Sequence, residues 1–201
     1  RIFISGSAPL SEQALIDFSA KFKNATLLEG YGLSECSPAV CVNRLHHQKP
    51  LSVGLPLPGY EVKIVSDEMM EVKTGIVGEI MIKGDCVMQG YLNRPDATDE
   101  TIINGWLLSG DLGKKDEDGF IYIVDRKKDM IITGGFNIYP REVDAVLYQH
   151  PKIAEAVTVG VPDNYRGETV KAFVVLKHGQ QATDKEISEK TMNSLKTAFG
   201  K

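Results

Sequence analysis

Short apolar runs separated by glycine, proline and aspartate dominate the hydrophobic pattern of this chain. Residues 1–5 form one such run, which predicts a short buried strand. Ser11 is placed to cap a helix, because apolar residues recur at near-helical spacing from Ala14 to Phe22. Residues 26–28 then predict a second strand. Strand, helix and strand in this order indicate a parallel α/β layer.

The pattern changes between about residues 53 and 125. Short runs rich in β-branched and aromatic residues occur at residues 60–65, 76–83 and 120–124. Turn-forming residues separate them. This region predicts a small β-barrel or sandwich.

The last part of the chain has a self-contained pattern of strand, helix, two strands and helix. Pro140 suits the first turn of a helix, and residues 154–161 and 170–177 predict the two strands. Thr183 and Glu186 have the spacing of a capping box before a final helix. A charged stretch precedes this unit, so we predict two domains, at residues 1–125 and 126–201.

Composition narrows the possible partners. The chain has 201 residues, of which 42% are hydrophobic and 25% charged, as in globular proteins. Its formal net charge is -4, and its sequence pI is about 5.6. A nucleic-acid or anionic-lipid surface needs clustered lysine and arginine. We therefore expect no nucleic-acid partner.

Cysteine usage favours a reducing compartment. Cys36, Cys41 and Cys86 show neither a CxxC pair nor histidines at metal-ligand spacing. No apolar run is long enough for a transmembrane segment, and no leader is recognisable. The cytoplasm is therefore the expected location. Because Arg1 leads directly into an apolar run, we expect a piece of a longer chain.

Residues 29–35, Glu-Gly-Tyr-Gly-Leu-Ser-Glu, combine groups that suit a nucleotide. Glycines let backbone N–H groups approach a phosphate, and Tyr31 could stack on a base. Ser34 could donate to a phosphate, and Glu35 could bind Mg²⁺. The alternative is a plain glycine turn, because a lone glycine loop is a weak signal.

These residues resemble the Tyr-Gly-x-Thr-Glu motif of the adenylate-forming superfamily, which includes acyl-CoA synthetases, luciferases and peptide-synthetase adenylation domains. Further segments resemble the superfamily's motifs in the right order, and the longest, at residues 125–140, is the most specific. The matching segments are Ser5-Gly6-Ser7-Ala8-Pro9-Leu10, Gly78-Glu79-Ile80, Gly90-Tyr91-Leu92-Asn93-Arg94-Pro95, Trp106-Leu107-Leu108-Ser109-Gly110-Asp111 and residues 125–140.

The resemblance implies a role for most of these residues. Asp111 would bind the ribose hydroxyls, Arg126 would contact ribose or phosphate, and Glu35 would hold Mg²⁺. Taken alone, the segment around Asp111 is more typical of a loop. The residues expected to bind nucleotide are Ser7, Ala8, Pro9, Glu29, Gly30, Tyr31, Gly32, Leu33, Ser34, Asp111 and Arg126.

The resemblance also assigns residues to a mobile lid. Lys128 would be the hinge about which the lid turns, and Gly134 and Gly135 would line the tunnel for coenzyme A. Without the family pattern, the segment around Lys128 would be a solvated charge cluster and the glycines a simple turn.

The resemblance implies a fold and a function together. The fold is α/β: the end of a large N-terminal α/β domain with a β-barrel subdomain, followed by a small, truncated α+β lid. The superfamily's phosphate-holding loop and catalytic lysine would lie outside this sequence, so we expect no catalytic residue in the chain and no activity from the chain alone.

The implied reaction is that of a bacterial fatty acyl-CoA synthetase. ATP would activate a carboxylic, fatty acid to an acyl-adenylate, and coenzyme A would accept the acyl group. Two alternatives remain: an adenylation domain that loads a carrier protein, and a non-catalytic nucleotide-binding homologue.

Overall fold

Strands outnumber helices in the computed structural model, which describes residues 1–8 and 10–199. The chain divides into two units, Arg1–Lys127 (unit 1) and Lys128–Lys201 (unit 2). Each unit has its own hydrophobic core. The division lies two residues after the sequence-based boundary at residue 125. That unit 2 moves as a lid stays a prediction.

The first sheet of unit 1 begins with the predicted parallel layer. Its strand order is β1-β2-β3-β4, in which β1 and β2 are parallel and the other pairs antiparallel. Helix α1 connects the two parallel strands. The elements are β1 (Ile2–Ser5), α1 (Glu12–Lys21), β2 (Thr26–Gly32), β3 (Ala39–Val42) and β4 (Leu55–Pro56).

The predicted cap of α1 is confirmed, whereas the predicted burial of β1 is wrong. The Ser11 hydroxyl accepts a hydrogen bond from the Ala14 amide at 3.2 Å. Phe3 faces α1, but Ile2 and Ile4 are 55% and 69% exposed. Side chains alternate along a strand, so these two isoleucines lie on the face opposite Phe3. In the described part of the chain, β1 is an edge strand paired only with β2.

The second sheet of unit 1 is antiparallel throughout. Its strand order is β5-β6-β8-β7, and β9 also pairs with β8. The sequence predicts β5, β6 and β9 within a few residues, but it does not predict β7 or β8. The elements are β5 (Tyr60–Val65), β6 (Gly78–Gly84), α2 (Pro95–Thr101), β7 (Ile102–Ile103), β8 (Trp106–Lys115) and β9 (Ile121–Arg126).

One core joins the two sheets of unit 1. Residues from β3 and the turn before it pack against residues from the second sheet, so the sheets form a single hydrophobic interior. This interior lies beside the strands that bear the predicted site residues. Its buried members are Cys36, Val40, Cys41, Ile64, Ile80, Ile82, Leu107 and Ile121.

Unit 2 is a four-stranded antiparallel sheet with two helices. The strand order is β11-β10-β13-β12. A two-stranded hairpin takes the place of the single strand that the sequence predicts before the first helix. The elements are β10 (Ile131–Thr133), β11 (Phe136–Ile138), α3 (Pro140–Tyr148), β12 (Ile153–Asp163), β13 (Gly167–Leu176) and α4 (Asp184–Phe199).

Helix ends in unit 2 follow the predicted signals in part. Pro140 occupies the first turn of α3. The Thr183 hydroxyl accepts from the Glu186 amide at 3.2 Å, as in a capping box. The Glu186 carboxylate instead accepts from the Lys152 ammonium at 2.7 Å. Among the described residues, no helix has the length and apolar character needed to cross a membrane.

Replacement of Ile80 by alanine tests the shared core of unit 1. Ile80 is fully buried, so Ile80→Ala should lower the free energy of unfolding by about 2–5 kcal/mol. Trp106, the single tryptophan, lies in β8, and its fluorescence during urea denaturation reports on this unit. The control Ile76→Ala removes an exposed side chain and should cost about 0.5 kcal/mol. Equal losses for both variants would contradict the assignment of the core.

Candidate functional site

The glycine-rich segment is part of a strand. The sequence predicts that this strand ends at residue 28, before the motif, but β2 continues to Gly32. A side-chain carbon on Gly32 would lie 1.8 Å from the carbonyl oxygen of Pro38. Glycine at this position therefore allows β3 to approach β2, which corrects its interpretation as part of a loop beyond the strand.

The loop after β1 lies at the same edge of the sheet as this segment. Ser5 is the parallel partner of Glu29, so the chain leaves β1 beside the motif in β2. Ser7 and Ala8 follow and are exposed, and Ser7 has a left-handed φ of 67°. Pro9 lies outside the described residues.

Three predicted residues that are far apart in sequence meet at one carboxylate. The Tyr31 hydroxyl donates to Oδ2 of Asp111 at 2.7 Å. The Arg126 Nε donates to Oδ1 of Asp111, also at 2.7 Å. Asp111 is 5% exposed, whereas the Arg126 side chain is 47% exposed. The site therefore combines a buried anion with a cation that reaches solvent.

A β-bulge directs Asp111 toward its partners. On β6, Glu79 and Met81 are two residues apart, but their partners on β8, Leu112 and Leu108, are four apart. The extra residues of β8 precede Leu112 and include Asp111, which is the register partner of Arg126 on β9. Bulges change the direction of side chains locally and recur beside active sites.

Burial and the neighbouring carboxylate affect the proton of Tyr31. Burial raises the pKa of Tyr31, and the neighbouring Asp111 raises it further. Tyr31 therefore remains a phenol that donates its proton at neutral pH. A carboxylate has about four acceptor sites. Tyr31 and Arg126 use one each, so Asp111 can accept two further hydrogen bonds, as a vicinal diol would supply.

Glu35 is held by a tyrosine from the matching segment at residues 90–95. It lies in a 3-10 turn, Ser34–Cys36, and its Oε1 accepts from the Tyr91 hydroxyl at 2.8 Å. Its backbone oxygen accepts from the Met88 amide at 2.7 Å. Ser34 is exposed, whereas Leu33 packs against the core of unit 1. The turn therefore presents a hydroxyl and a carboxylate at the end of β2.

Glu35 provides a single carboxylate, which limits the kind of metal site it can belong to. No group of three or more metal-ligating side chains occurs in the described ranges. Mg²⁺ is commonly bound through one or two carboxylates together with substrate phosphates and water. Glu35 therefore fits Mg²⁺ that arrives with a nucleotide.

Glu29 is occupied by the loop beside it. Its Oε1 accepts from the Leu51 amide at 3.0 Å, and its backbone oxygen accepts from the Asn43 amide at 2.9 Å. Burial raises the pKa of this carboxyl group, and the bond from Leu51 lowers it in part. Oε1 thus binds the loop at Leu51, whereas the backbone oxygen continues the pairing of β2 with β3.

The predicted lid residues belong to unit 2. Lys128 is its first residue and is exposed in the 3-10 turn Lys127–Asp129. Gly134 and Gly135 form the tip of the β10–β11 hairpin, with φ of 56° and 84°. Positive φ at both positions is typical of a two-residue type I′ turn. A side-chain carbon on either glycine would meet no atom within 4 Å, so the tip is open.

Sequence reasoning missed several residues around the site. Glu79 lies within a quoted motif, yet its residue type alone indicated no role. The Ser109 hydroxyl accepts from the Asp111 amide at 3.1 Å, and Tyr91 binds Glu35. The only available signal was membership of the matching segments, because the contacts of Glu79 and Tyr91 join distant parts of the chain and the contact of Ser109 depends on the bulge.

Known proteins resemble this chain in sequence. Residues 1–92 match the AMP-binding enzyme family, and residues 142–200 match the AMP-binding enzyme C-terminal domain. A long-chain-fatty-acid–CoA ligase of Bacillus subtilis is 50% identical over 189 residues, which are 92% of this chain and 33% of the ligase. A fatty acid–[acyl-carrier-protein] ligase, ScoC of Streptomyces coeruleorubidus, is 40% identical over 92% of this chain and 36% of its own length. The chain thus spans about a third of the length of these curated relatives.

Solved structures agree with the sequence matches. ATP-bound MatB from Rhodopseudomonas palustris has a TM-score of 0.92 and 36% identity, covering 97% of this chain and 39% of MatB. The o-succinylbenzoate CoA synthetase MenE of Bacillus subtilis, in complex with its acyl-adenylate intermediate, has a TM-score of 0.86 and 35% identity, covering 96% and 39%. Both family matches, the motif order and the fold agree, and the chain therefore belongs to the AMP-binding enzyme family.

Proposed function

We propose that this chain is the C-terminal part of an ATP-dependent acid–thiol ligase. The ligase activates a fatty acid to an acyl-adenylate and transfers the acyl group to coenzyme A. The observation that supports this most directly is the buried Asp111 carboxylate, which binds Tyr31 and Arg126 and retains acceptor capacity. The identity to long-chain-fatty-acid–CoA ligases supports the substrate class.

The proposed reaction has two steps, adenylation and thioester formation. An oxygen of the fatty-acid carboxylate attacks the α-phosphorus of ATP, and the bond to the pyrophosphate oxygen breaks. The products are acyl-adenylate and pyrophosphate. The sulfur of coenzyme A, once its proton has left, then attacks the acyl carbon. The bond from that carbon to the AMP oxygen breaks, and AMP leaves.

In this proposal, residues of unit 1 bind the nucleotide. Asp111 accepts hydrogen bonds from the ribose hydroxyls, and Arg126 contacts ribose or phosphate, because it is cationic and partly exposed. Tyr31 supports the adenosine moiety while its hydroxyl orients Asp111. The Ser34 hydroxyl is expected to donate to a phosphate. Other neighbouring residues are expected to contact the nucleotide as well: Ser7, Ala8, Pro9, Glu29, Gly30, Gly32 and Leu33.

Glu35 is the proposed magnesium ligand. When bound with ATP, Mg²⁺ would neutralise part of the phosphate charge. The Glu35 carboxylate is oriented by the Tyr91 hydroxyl, which restricts its position in the 3-10 turn.

Unit 2 is proposed to be the lid. Lys128 is the hinge, and the open tip at Gly134 and Gly135 approaches the pantetheine of coenzyme A in the second step. The free cysteines of the described chain agree with a reducing compartment, so we propose the cytoplasm. The net charge of -4 supports small-molecule substrates and no nucleic-acid partner.

An exchange assay on the full-length protein tests the proposal. ATP–pyrophosphate exchange should depend on an added fatty acid, and thioester formation should follow when coenzyme A is supplied. Acids of short, medium and long chain would identify the preferred substrate. A second candidate function is an adenylation domain that loads a carrier protein, which the 40% identity to ScoC supports. Exchange without thioester formation to coenzyme A, together with acyl transfer to an added acyl carrier protein, would favour it. Neither exchange nor thioester would contradict a ligase and favour a non-catalytic nucleotide-binding protein.

Asp111→Asn tests the ribose contact in the same assay. The amide removes the charge opposite Arg126 and one acceptor, so KM for ATP should rise about 10- to 100-fold. The matched control is Asp99→Asn, on an exposed position of α2, which should leave KM unchanged. An unaltered KM for ATP in Asp111→Asn would remove Asp111 from the nucleotide site.

Lys128→Pro tests the hinge. Proline fixes φ near −65°, so lid rotation should be hindered while nucleotide binding in unit 1 is spared. Thioester formation should therefore fall about 10-fold or more, with exchange retained. Lys128→Ala, which removes the side chain but keeps backbone freedom, should retain both steps. Equal loss of exchange and thioester formation in Lys128→Pro would contradict the hinge assignment.

A further inference from the structure

The two carboxylate oxygens of Glu79 bind different donors beside the Asp111 cluster. Its Oε1 accepts a hydrogen bond from the Gly110 amide at 3.1 Å. Its Oε2 accepts one from the Lys127 ammonium at 2.9 Å. The Glu79 side chain is 10% exposed. A buried carboxylate needs such donors, because an unpaired one would be costly to desolvate.

The two donors are sequence neighbours of the two residues that form the ion pair. Gly110 directly precedes Asp111, and it lies in the bulge with a left-handed φ of 71°. Lys127 directly follows Arg126 at the end of β9. Glu79 therefore binds the residue before Asp111 and the residue after Arg126.

The strand pairing of β8 is irregular around Asp111. The register of β6 and β8 shifts between Glu79 and Met81, so the regular ladder is interrupted beside Asp111. A further shift interrupts β8 and β9 between Leu112 and Gly113. The Glu79–Gly110 hydrogen bond fixes the bulge where these two ladders are irregular.

Lys127 forms ion pairs with two carboxylates, one buried and one exposed. Its ammonium also pairs with Asp67 at 2.8 Å, and Asp67 is largely solvent-exposed. Surface ion pairs contribute little to stability, whereas the pair with the buried Glu79 is less screened. Of the two ion pairs of Lys127, the one with Glu79 is therefore the stronger addition to the backbone pairing at the end of β9.

We propose that Glu79 is a positioning residue for nucleotide binding, because it fixes the bulge at Gly110 and the end of β9 so that Asp111 and Arg126 meet. The inference rests on the proposed function and extends it to a residue that does not touch the nucleotide. Lys127 is the cation through which Glu79 acts on β9.

Glu79→Gln in the full-length protein tests this role. The amide nitrogen must face either the Gly110 N–H or the Lys127 ammonium, and either arrangement opposes two donors. KM for ATP should rise about 10- to 100-fold, while KM for the fatty acid is unchanged. The matched control is Glu71→Gln, because Glu71 also pairs with a lysine, Lys115, but is exposed. Glu71→Gln should leave both constants unchanged.

A double-mutant cycle separates positioning from a general loss of stability. If Glu79 acts through Asp111, then Glu79→Gln in an Asp111→Asn background should change KM for ATP by less than about 2-fold. Fully additive effects, or an unchanged KM in the single variant, would overturn the proposal.

If Glu79→Gln does not fold, Lys127→Met becomes the test variant. An unchanged KM for ATP in that variant would overturn the proposal in turn.

The outcomes that reject the positioning role differ from those that reject the proposed ligase activity. Absence of exchange in the wild-type protein would reject the proposed ligase activity. An active wild type whose Glu79→Gln variant binds ATP normally would reject only the positioning role.

Discussion

The organisation of unit 1 depends on how the Asp111 charge is buried. An ionised carboxylate with little exposure is unfavourable unless donors replace the water it loses. Tyr31 supplies one donor from β2, and Arg126 supplies another from β9. Because Asp111 itself lies on β8, this one charge connects three strands that belong to both sheets of the unit. The same carboxylate keeps acceptor capacity beyond these two bonds, which the proposed function assigns to a nucleotide.

A second carboxylate supports the first. Glu79 binds the backbone before Asp111 and the lysine after Arg126. The registers of β8 with β6 and with β9 are irregular beside Asp111, and Glu79 binds the chain at this point. Unit 1 therefore ends at Lys127, whose ammonium is bound by the buried Glu79 of the same unit. The proposed hinge, Lys128, follows immediately.

Local signals in the sequence located many elements but not their relations. The cap at Ser11, the start of α3 at Pro140 and the strands β5 and β6 follow from side-chain chemistry within a few residues. The strand β8 was missed, because Ser-Gly-Asp in its middle is typical of a turn. The structure accommodates those residues as a bulge within a strand, and the neighbouring strands β6 and β9 make that possible. The exposure of β1 was missed for the opposite reason, since an apolar run indicates burial only when another layer covers it.

What the sequence alone determined is the set of chemical groups and the family whose motifs they match in order. Residue type and spacing are sufficient for that, because each motif is local. The tertiary structure alone shows that Tyr31, Asp111 and Arg126 share one hydrogen-bonded cluster, that Glu29 binds a loop, and that Glu79 binds the residue before Asp111. These contacts join residues that are distant in the chain, and strand register and burial determine them rather than any local propensity.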